Sequence, residues 1–151
     1  MIVLDTNVLS EPIRLKPDPL VIAWLAAEER PFYITAVAVG ELLVGVRQLP
    51  AGKRRTGLLA AIEATLSAFS DRILPYDEPA ARAYAEMQAS RRTSGSPLSV
   101  EDGMIAAICR TQQANLATRN VNDFLDLGIT LINPWDGPLT DREQRHHLAE
   151  E

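Results

Sequence analysis

The sequence predicts an α/β protein, layered around a mainly parallel central sheet. An apolar triplet ending in an acid opens the chain, and segments of helical period then alternate with short β-branched runs to the far end. No internal repeat or linker interrupts that alternation. Parallel strands need a crossover for each return to the sheet, and a helix is the usual one.

Ile2–Leu4 reads as a strand buried on both faces, ending at the polar turn Asp5, Thr6 and Asn7. After Pro17 and Pro19, LVIAWLAAEE carries apolar residues at helical spacing, and Pro31 closes it before the strand FYIT. Thr35 can cap the helix AVAVGELLVGVRQL, which contains Glu41 and exits at Pro50 and Gly52. RRTGLLAAIEATLSAF is the next helix and RILPY the next strand; Pro79 then opens AARAYAEMQASRR in its first turn. TSGSP is the loosest loop. LSVEDGMIAAICRTQQ returns to helix, NLAT is a strand ending near Thr118, RNVND is a turn, and ITLI is the last strand.

The 151 residues, 46% apolar, suffice for one domain with a real core. Two parts are expected, a folded unit over residues 1–135 and a polar tail over 136–151. In the tail, Thr140 and Glu143 are spaced like a capping box, so a short docked helix competes there with a frayed end. One cysteine, Cys109, forms no internal disulfide; with no secretory leader before Asp5 and no apolar run of membrane-spanning length, the expected location is cytoplasmic and not membrane-bound. A net charge of −5 argues against a surface that attracts phosphate backbones everywhere, although thirteen of the fifteen cations are Arg, the best phosphate fork.

The chemistry turns on acids. Taking an ionised carboxylate out of water costs several kcal/mol or more unless it is paired, hydrogen-bonded or metal-bound, so Asp5 at the end of a buried strand needs a partner. Ligands of open parallel sheets bind beyond the carboxyl ends of the strands, which places Asp5 at the mouth and brings Asp123, just past NLAT, to the same edge. Asp102 falls in a first helical turn if Ser99 is the cap. Glu41, two turns into its helix among Val37, Leu42 and Gly45, lacks such compensation. Each acid alone has an ordinary explanation as a cap, turn former or solvated side chain. Together they suit a hard divalent cation, which takes carboxylate oxygens, waters and phosphates.

LDTNVLSE, AVGELLVG around Glu41, LSVEDGMIAAI around Asp102 and LATRNVNDF with Asp123 resemble, in this order, a PIN-domain ribonuclease of the VapC-like toxin type. INPW is similar to that group's final strand, and the resemblance runs from residue 2 to about residue 135. It implies a PIN-like α/β/α sandwich in which Asp5, Glu41, Asp102 and Asp123 form a catalytic quartet holding Mg²⁺ or Mn²⁺. Thr6, Asn7, Thr118 and Asn120 match supporting polar positions. The implied reaction is hydrolysis of RNA phosphodiester bonds, without a covalent intermediate, to a 5′-phosphate and a 3′-hydroxyl. The implied partners are an RNA substrate, a cognate small antitoxin docked in a hydrophobic groove lined by LVIAWLAAEE and AVAVGELLVGV, and a second copy in a homodimer, with the Ala stripe of AARAYAEM as a plausible interface.

Arg119, between Thr118 and Asn120 in the presumed mouth, is the best RNA-contact candidate. The clusters at Arg91 and Arg92 and at KRR, 53–55, read first as solvated surface charge. An aspartyl-nucleophile phosphotransferase fits less well, because it wants a second Asp where Asn7 stands. His146 and His147 in the tail and Cys109 in mid-helix offer no serine, cysteine or zinc chemistry. The alternative from another class is a non-catalytic PIN-fold partner that acts mainly within a DNA-bound toxin-antitoxin complex.

Overall fold

The computed structural model describes residues 1–138. Five strands form one parallel sheet: β1 Ile2–Leu4, β2 Phe32–Thr35, β3 Ile73–Leu74, β4 Asn115–Ala117 and β5 Leu131–Ile132, in the order β3-β2-β1-β4-β5. Six α-helices connect them: α1 Thr6–Ser10, α2 Pro19–Ala27, α3 Ala36–Arg47, α4 Lys53–Ala68, α5 Glu78–Thr93 and α6 Val100–Thr111. The expected α/β/α sandwich is therefore present, and every strand pair is parallel.

The sheet explains why its strands are so apolar. Successive side chains of a strand point to opposite faces. Val3 and Leu116 join one core with Met87 of α5 and Ile105 of α6, while Ile2, Leu4 and Ala117 join another with Trp24, Leu42 and Ile62 from α2, α3 and α4. Ile2 and Val3 have no exposed surface, so β1 has no polar face. Its register, Ile2↔Phe32 on one side and Leu4↔Ala117 on the other, puts β1 at the centre. The chain moves outward from β1 to β2 and β3, then returns to add β4 and β5 on β1's other side. That reversal between β1 and β4 is the topological switch point, where open α/β sheets open a crevice at their carboxyl edge.

Helix starts follow the local chemistry. The Thr35 hydroxyl accepts from Ala38 N at 3.0 Å, Asp77 caps α5 through Ala80 N at 3.1 Å, and Ser99 caps α6 through Asp102 N at 3.2 Å. Several boundaries differ from expectation. RILPY and ITLI each contribute only two paired residues, Ile73–Leu74 and Leu131–Ile132; directly after Leu74 comes Pro75, which has no N–H to offer the sheet. The INPW stretch is not a strand beyond Ile132: Pro134, which has no N–H to pair, opens the 3₁₀ turn Pro134–Asp136. Asp5-Thr6-Asn7 does not stay a turn but starts α1, and RNVND closes into the 3₁₀ turn Val121–Phe124.

The expected boundary at residue 135 falls inside a 3₁₀ turn, and Gly137 beyond it is buried against Leu20. The Thr140 and Glu143 pair lies outside the described residues. The Ala stripe of α5 is turned inward, with Ala80 and Ala83 buried in the chain's own core. Among the described residues no helix is long and apolar enough to cross a membrane.

Candidate active site

Asp5 leaves β1 at the switch point and is 5% exposed, a buried acid with two donors. Thr6 N donates to its Oδ1 at 2.8 Å, and the Thr118 hydroxyl, fully buried at the end of β4, donates to its Oδ2 at 2.7 Å. Asn120 N in turn donates to the Thr118 Oγ1 at 3.1 Å. On the other side, the Thr6 hydroxyl donates to Glu41 Oε1 at 3.2 Å. A chain of hydrogen bonds thus runs from Asn120 through Thr118, Asp5 and Thr6 to Glu41, crossing from the β4 exit to α3.

Of the expected supporting groups, Thr6 and Thr118 act through their hydroxyls. Asn120 acts through its backbone N–H rather than its amide. Asn7 Oδ1 accepts from Arg119 N at 3.4 Å, a long bond that ties the α1 and β4 ends together.

Three of the four acids are raised above their ordinary values, in part by neighbouring acidic charge. Burial pushes the Asp5 carboxyl above the usual carboxylate range; the Thr118 and Thr6 bonds pull it back, and the charge of Asp123 pushes it up again. Glu41 is raised chiefly by burial, opposed by the Thr6 bond and reinforced by the charges of Asp5, Asp102 and Glu101. Asp102 is raised by burial too, against its Ser99 bond, with Asp5, Asp123 and Glu101 adding repulsion. Residues from β1, α3, α6 and the turn after β4 therefore share one anionic edge, with no ion pair to any of the four acids among the described residues.

A hard divalent cation fits this donor set in ligand type and in sign of charge, since carboxylate oxygens are its preferred ligands and like-charge repulsion among them is what it would relieve. As the side chains stand, however, no group of three or more His, Cys, Asp or Glu among the described residues is arranged to hold an ion. The acids are drawn to one edge without being closed into a cage.

Next to Asp123 lies a cleft of about 390 Å³ lined by Arg119, Asn120, Val121, Asn122, Asp123 and Asn133. The exposed Arg119 guanidinium sits 5.1 Å from the centre of the Trp135 ring, at cation–π distance. Sequence reasoning missed Glu101 as a contributor to the acidic edge, although its place beside Asp102 was the available signal. It also missed Asn122 and Asn133, which carry no local signature. Arg91, expected to be solvated, instead makes four side-chain hydrogen bonds.

Fold and edge together define the class: an α/β protein with an anionic site where ligands of parallel sheets bind. Within that class the chain belongs to the PIN-domain family, whose model, described as the PIN domain, matches residues 2–128. It is 42% identical over 138 residues to the VapC ribonuclease Y4jK of Sinorhizobium fredii, covering 90% of this chain and 99% of that protein. To Toxin FitB of Neisseria gonorrhoeae it is 39% identical, covering 89% of this chain and 99% of that one. The plasmid stability protein StbB of Pseudomonas syringae is 38% identical, again with 90% and 99% covered. Among solved structures, a FitAB complex bound to a DNA fragment superposes with a TM-score of 0.84 at 38% identity, covering 93% of this chain and 98% of that one. The FitAcB structure from Neisseria gonorrhoeae gives 0.83 at 39%, covering 89% and 99%.

Proposed function

We propose that the chain is a metal-dependent endoribonuclease and the toxin half of a toxin-antitoxin pair, with residues 1–135 as its nuclease unit and 136–151 as a polar tail. The observation that carries this reading is the buried Asp5, held by Thr118 and Thr6 at the switch point and sharing its edge with Glu41, Asp102 and Asp123, none of the four being ion-paired among the described residues. The names of the relatives, a ribonuclease and a toxin, support it.

In this reading Asp5, Glu41, Asp102 and Asp123 hold Mg²⁺ or Mn²⁺. The bound ion supplies polarisation of a phosphoryl oxygen and activation of water at neutral pH. The chain's own groups do the rest. Thr118 and Thr6 orient the Asp5 oxygens, Thr6 also orients Glu41, and Asn7 and Asn120 brace the turn after β4. Arg119 meets the RNA backbone at the cleft beside Asp123, where a cation is needed to offset the acidic edge.

A cognate antitoxin would dock on the apolar side chains left exposed on α2 and α3, Leu20, Ile22 and Val44. The active form is read as a cytoplasmic homodimer whose interface lies elsewhere than the inward-facing Ala80 and Ala83. The alternative, a non-catalytic partner within a DNA-bound complex, draws on the DNA-bound FitAB relative.

The deciding experiment incubates the purified chain, free of antitoxin, with structured RNAs and Mg²⁺ or Mn²⁺. Cleavage that is lost with EDTA and with Asp5→Asn is the expected result. Cleavage that survives Asp5→Asn, or no cleavage of any RNA with either metal, overturns the enzyme reading.

A further inference from the structure

The turn that carries Asp123 is gripped from a distant helix. In the last turn of α5, one terminal nitrogen of Arg91 donates to the backbone carbonyls of Asp123 at 3.0 Å and Leu125 at 2.8 Å. The other donates to the carbonyl and hydroxyl oxygens of Ser96, at 3.4 and 3.3 Å. Ser96 N returns a bond to the Arg91 carbonyl at 2.9 Å. Ser96 thus holds one terminal nitrogen of the guanidinium while the other alone bridges the two carbonyls of the turn.

The start of that turn is tied down by Arg119 N to Asn7 Oδ1, by Asn120 N to Thr118 Oγ1 and by Asp123 N to the Asn120 carbonyl at 3.0 Å, and Arg91 meets its far end. The 3₁₀ segment Val121–Phe124 starts without a side-chain cap. Its own anchor is Phe124, 1% exposed, and the two carbonyls that Arg91 grips flank that residue. Carbonyls at the end of a helical turn lack internal partners, and a cation is the favoured group to meet them. Arg92, one residue along, is exposed and makes no such bond among the described residues.

We infer that Arg91 is a positioning residue for Asp123: by gripping the carbonyls on either side of Phe124, it fixes the turn that presents the Asp123 carboxylate at the acidic edge. The inference rests on the metal-dependent reading above. It makes a prediction of unusual sign. By Coulomb's law alone, deleting a cation near an acidic edge should tighten the binding of Mn²⁺. Loosening the turn should weaken it instead.

The test measures Mn²⁺ affinity by calorimetry for the wild type, Arg91→Ala, Arg91→Lys, Arg92→Ala and Asp123→Asn, with kcat and KM for RNA cleavage beside it. Arg91→Ala should weaken Mn²⁺ binding by about tenfold, the lower end of what partners that orient metal ligands usually contribute. Arg91→Lys should fall between, because one ammonium can meet the turn carbonyls but has no second nitrogen for Ser96 to hold in place. Arg92→Ala should leave the affinity unchanged, and the Arg91→Ala loss in cleavage should appear in kcat more than in KM. Arg91→Ala binding Mn²⁺ as tightly as the wild type, or more tightly, overturns the inference alone. A wild type that binds no Mn²⁺, or an Asp123→Asn variant that binds like wild type, overturns the metal reading and the inference with it. Should Arg91→Ala not fold, Arg91→Lys decides, and wild-type affinity in that variant is the overturning result.

Discussion

The hydroxyl of Thr118 donates to Asp5 Oδ2 across 2.7 Å, joining the ends of two adjacent parallel strands through side chains that are both buried. The backbone supports the same junction, with Asp5 N donating to the Ala117 carbonyl at 2.9 Å. Register between β1 and β4 therefore sets the geometry of the acid. A slip of one residue in either strand would turn that strand's side chains, Leu4 or Ala117 among them, away from the core and break the Thr118 contact with Asp5.

Thr118→Val tests that link. The substitution keeps the branched shape but removes the donor, leaving Asp5 with the Thr6 amide alone. A hydrogen bond to a charged group is worth about 1.5–3 kcal/mol, so the melting temperature of the metal-free protein at neutral pH should fall. The Asp5 carboxyl should titrate higher than in the wild type, since the bond that lowers it is gone. Thr118→Ser, which keeps the hydroxyl, should restore most of both. Nuclear magnetic resonance of the Asp5 carboxyl carbon reads the titration directly; an unchanged midpoint in Thr118→Val would show that this hydroxyl does not hold the acid.

The pH dependence of the metal-free protein follows from the same edge. Asp5, Glu41 and Asp102 all have carboxyls raised above their ordinary values chiefly by burial, with added repulsion from Asp123 on Asp5, from Asp5, Asp102 and Glu101 on Glu41, and from Asp5, Asp123 and Glu101 on Asp102. A raised folded value means that the folded state binds protons more tightly than the unfolded one. Their contribution to stability is full below the ordinary carboxylate range and is lost as the pH rises through the raised values. In EDTA, the melting temperature should accordingly rise as the pH falls from neutrality toward about 5, just above the ordinary carboxylate values. Asp5→Asn should flatten that slope and be more stable than the wild type at neutral pH. Millimolar Mg²⁺ should stabilise most at neutral pH, where protons do not compete, by mass action on the folded state. Thermal scans from neutral to mildly acidic pH, with and without metal, give the comparison. A slope in EDTA that is flat or opposite, and identical in Asp5→Asn, would refute the shared anionic edge.

What was legible in the chain was what is local. The Ile2–Leu4 triplet and its terminal acid, the Thr35 cap and the Ser99-x-x-Asp102 spacing are short-range patterns, and each stands in the structure as read. The meeting of Asp5 with Thr118 was reachable through a general rule about sheet edges, although 113 positions separate them. Side chains that bond to distant backbone left no mark. Arg91 reaches carbonyls 32 and 34 positions away, and a carbonyl looks the same in every residue, so no residue type at 123 or 125 signals it. The resemblance gives Asn120 as a supporting polar position, and what it contributes is its backbone N–H, a group that any residue except proline would supply. The lengths of β3 and β5 were overestimated for a related reason. Composition does not mark where pairing stops, and only Ile73–Leu74 and Leu131–Ile132 find partners.

Gly103 gives the sharpest test of how the acidic edge is packed from behind. It follows Asp102 in the first turn of α6, and a Cβ added there would lie 2.7 Å from Tyr84 Cε2 and 3.0 Å from Cδ2 of the same ring, on α5. The ring has limited room to yield, since it packs edge-on against Tyr76 at 6.3 Å between centroids. One turn along α5, Gln88 grips Leu98 through both backbone groups, at 2.9 and 3.2 Å, fixing the approach of the two helices. Helix propensity alone predicts that Gly103→Ala stabilises the protein by about 1 kcal/mol. The contact predicts the opposite sign, a loss of about 1–3 kcal/mol from overpacking, and a displaced first turn that moves Asp102. Chemical denaturation decides between the signs. Tyr84→Ala will itself destabilise by removing ring contacts, but in that background Gly103→Ala should become neutral or stabilising, a coupling that identifies the ring as the obstacle. If Gly103→Ala is as destabilising with Tyr84 removed as with it present, the close approach of α5 and α6 is not what demands glycine beside Asp102.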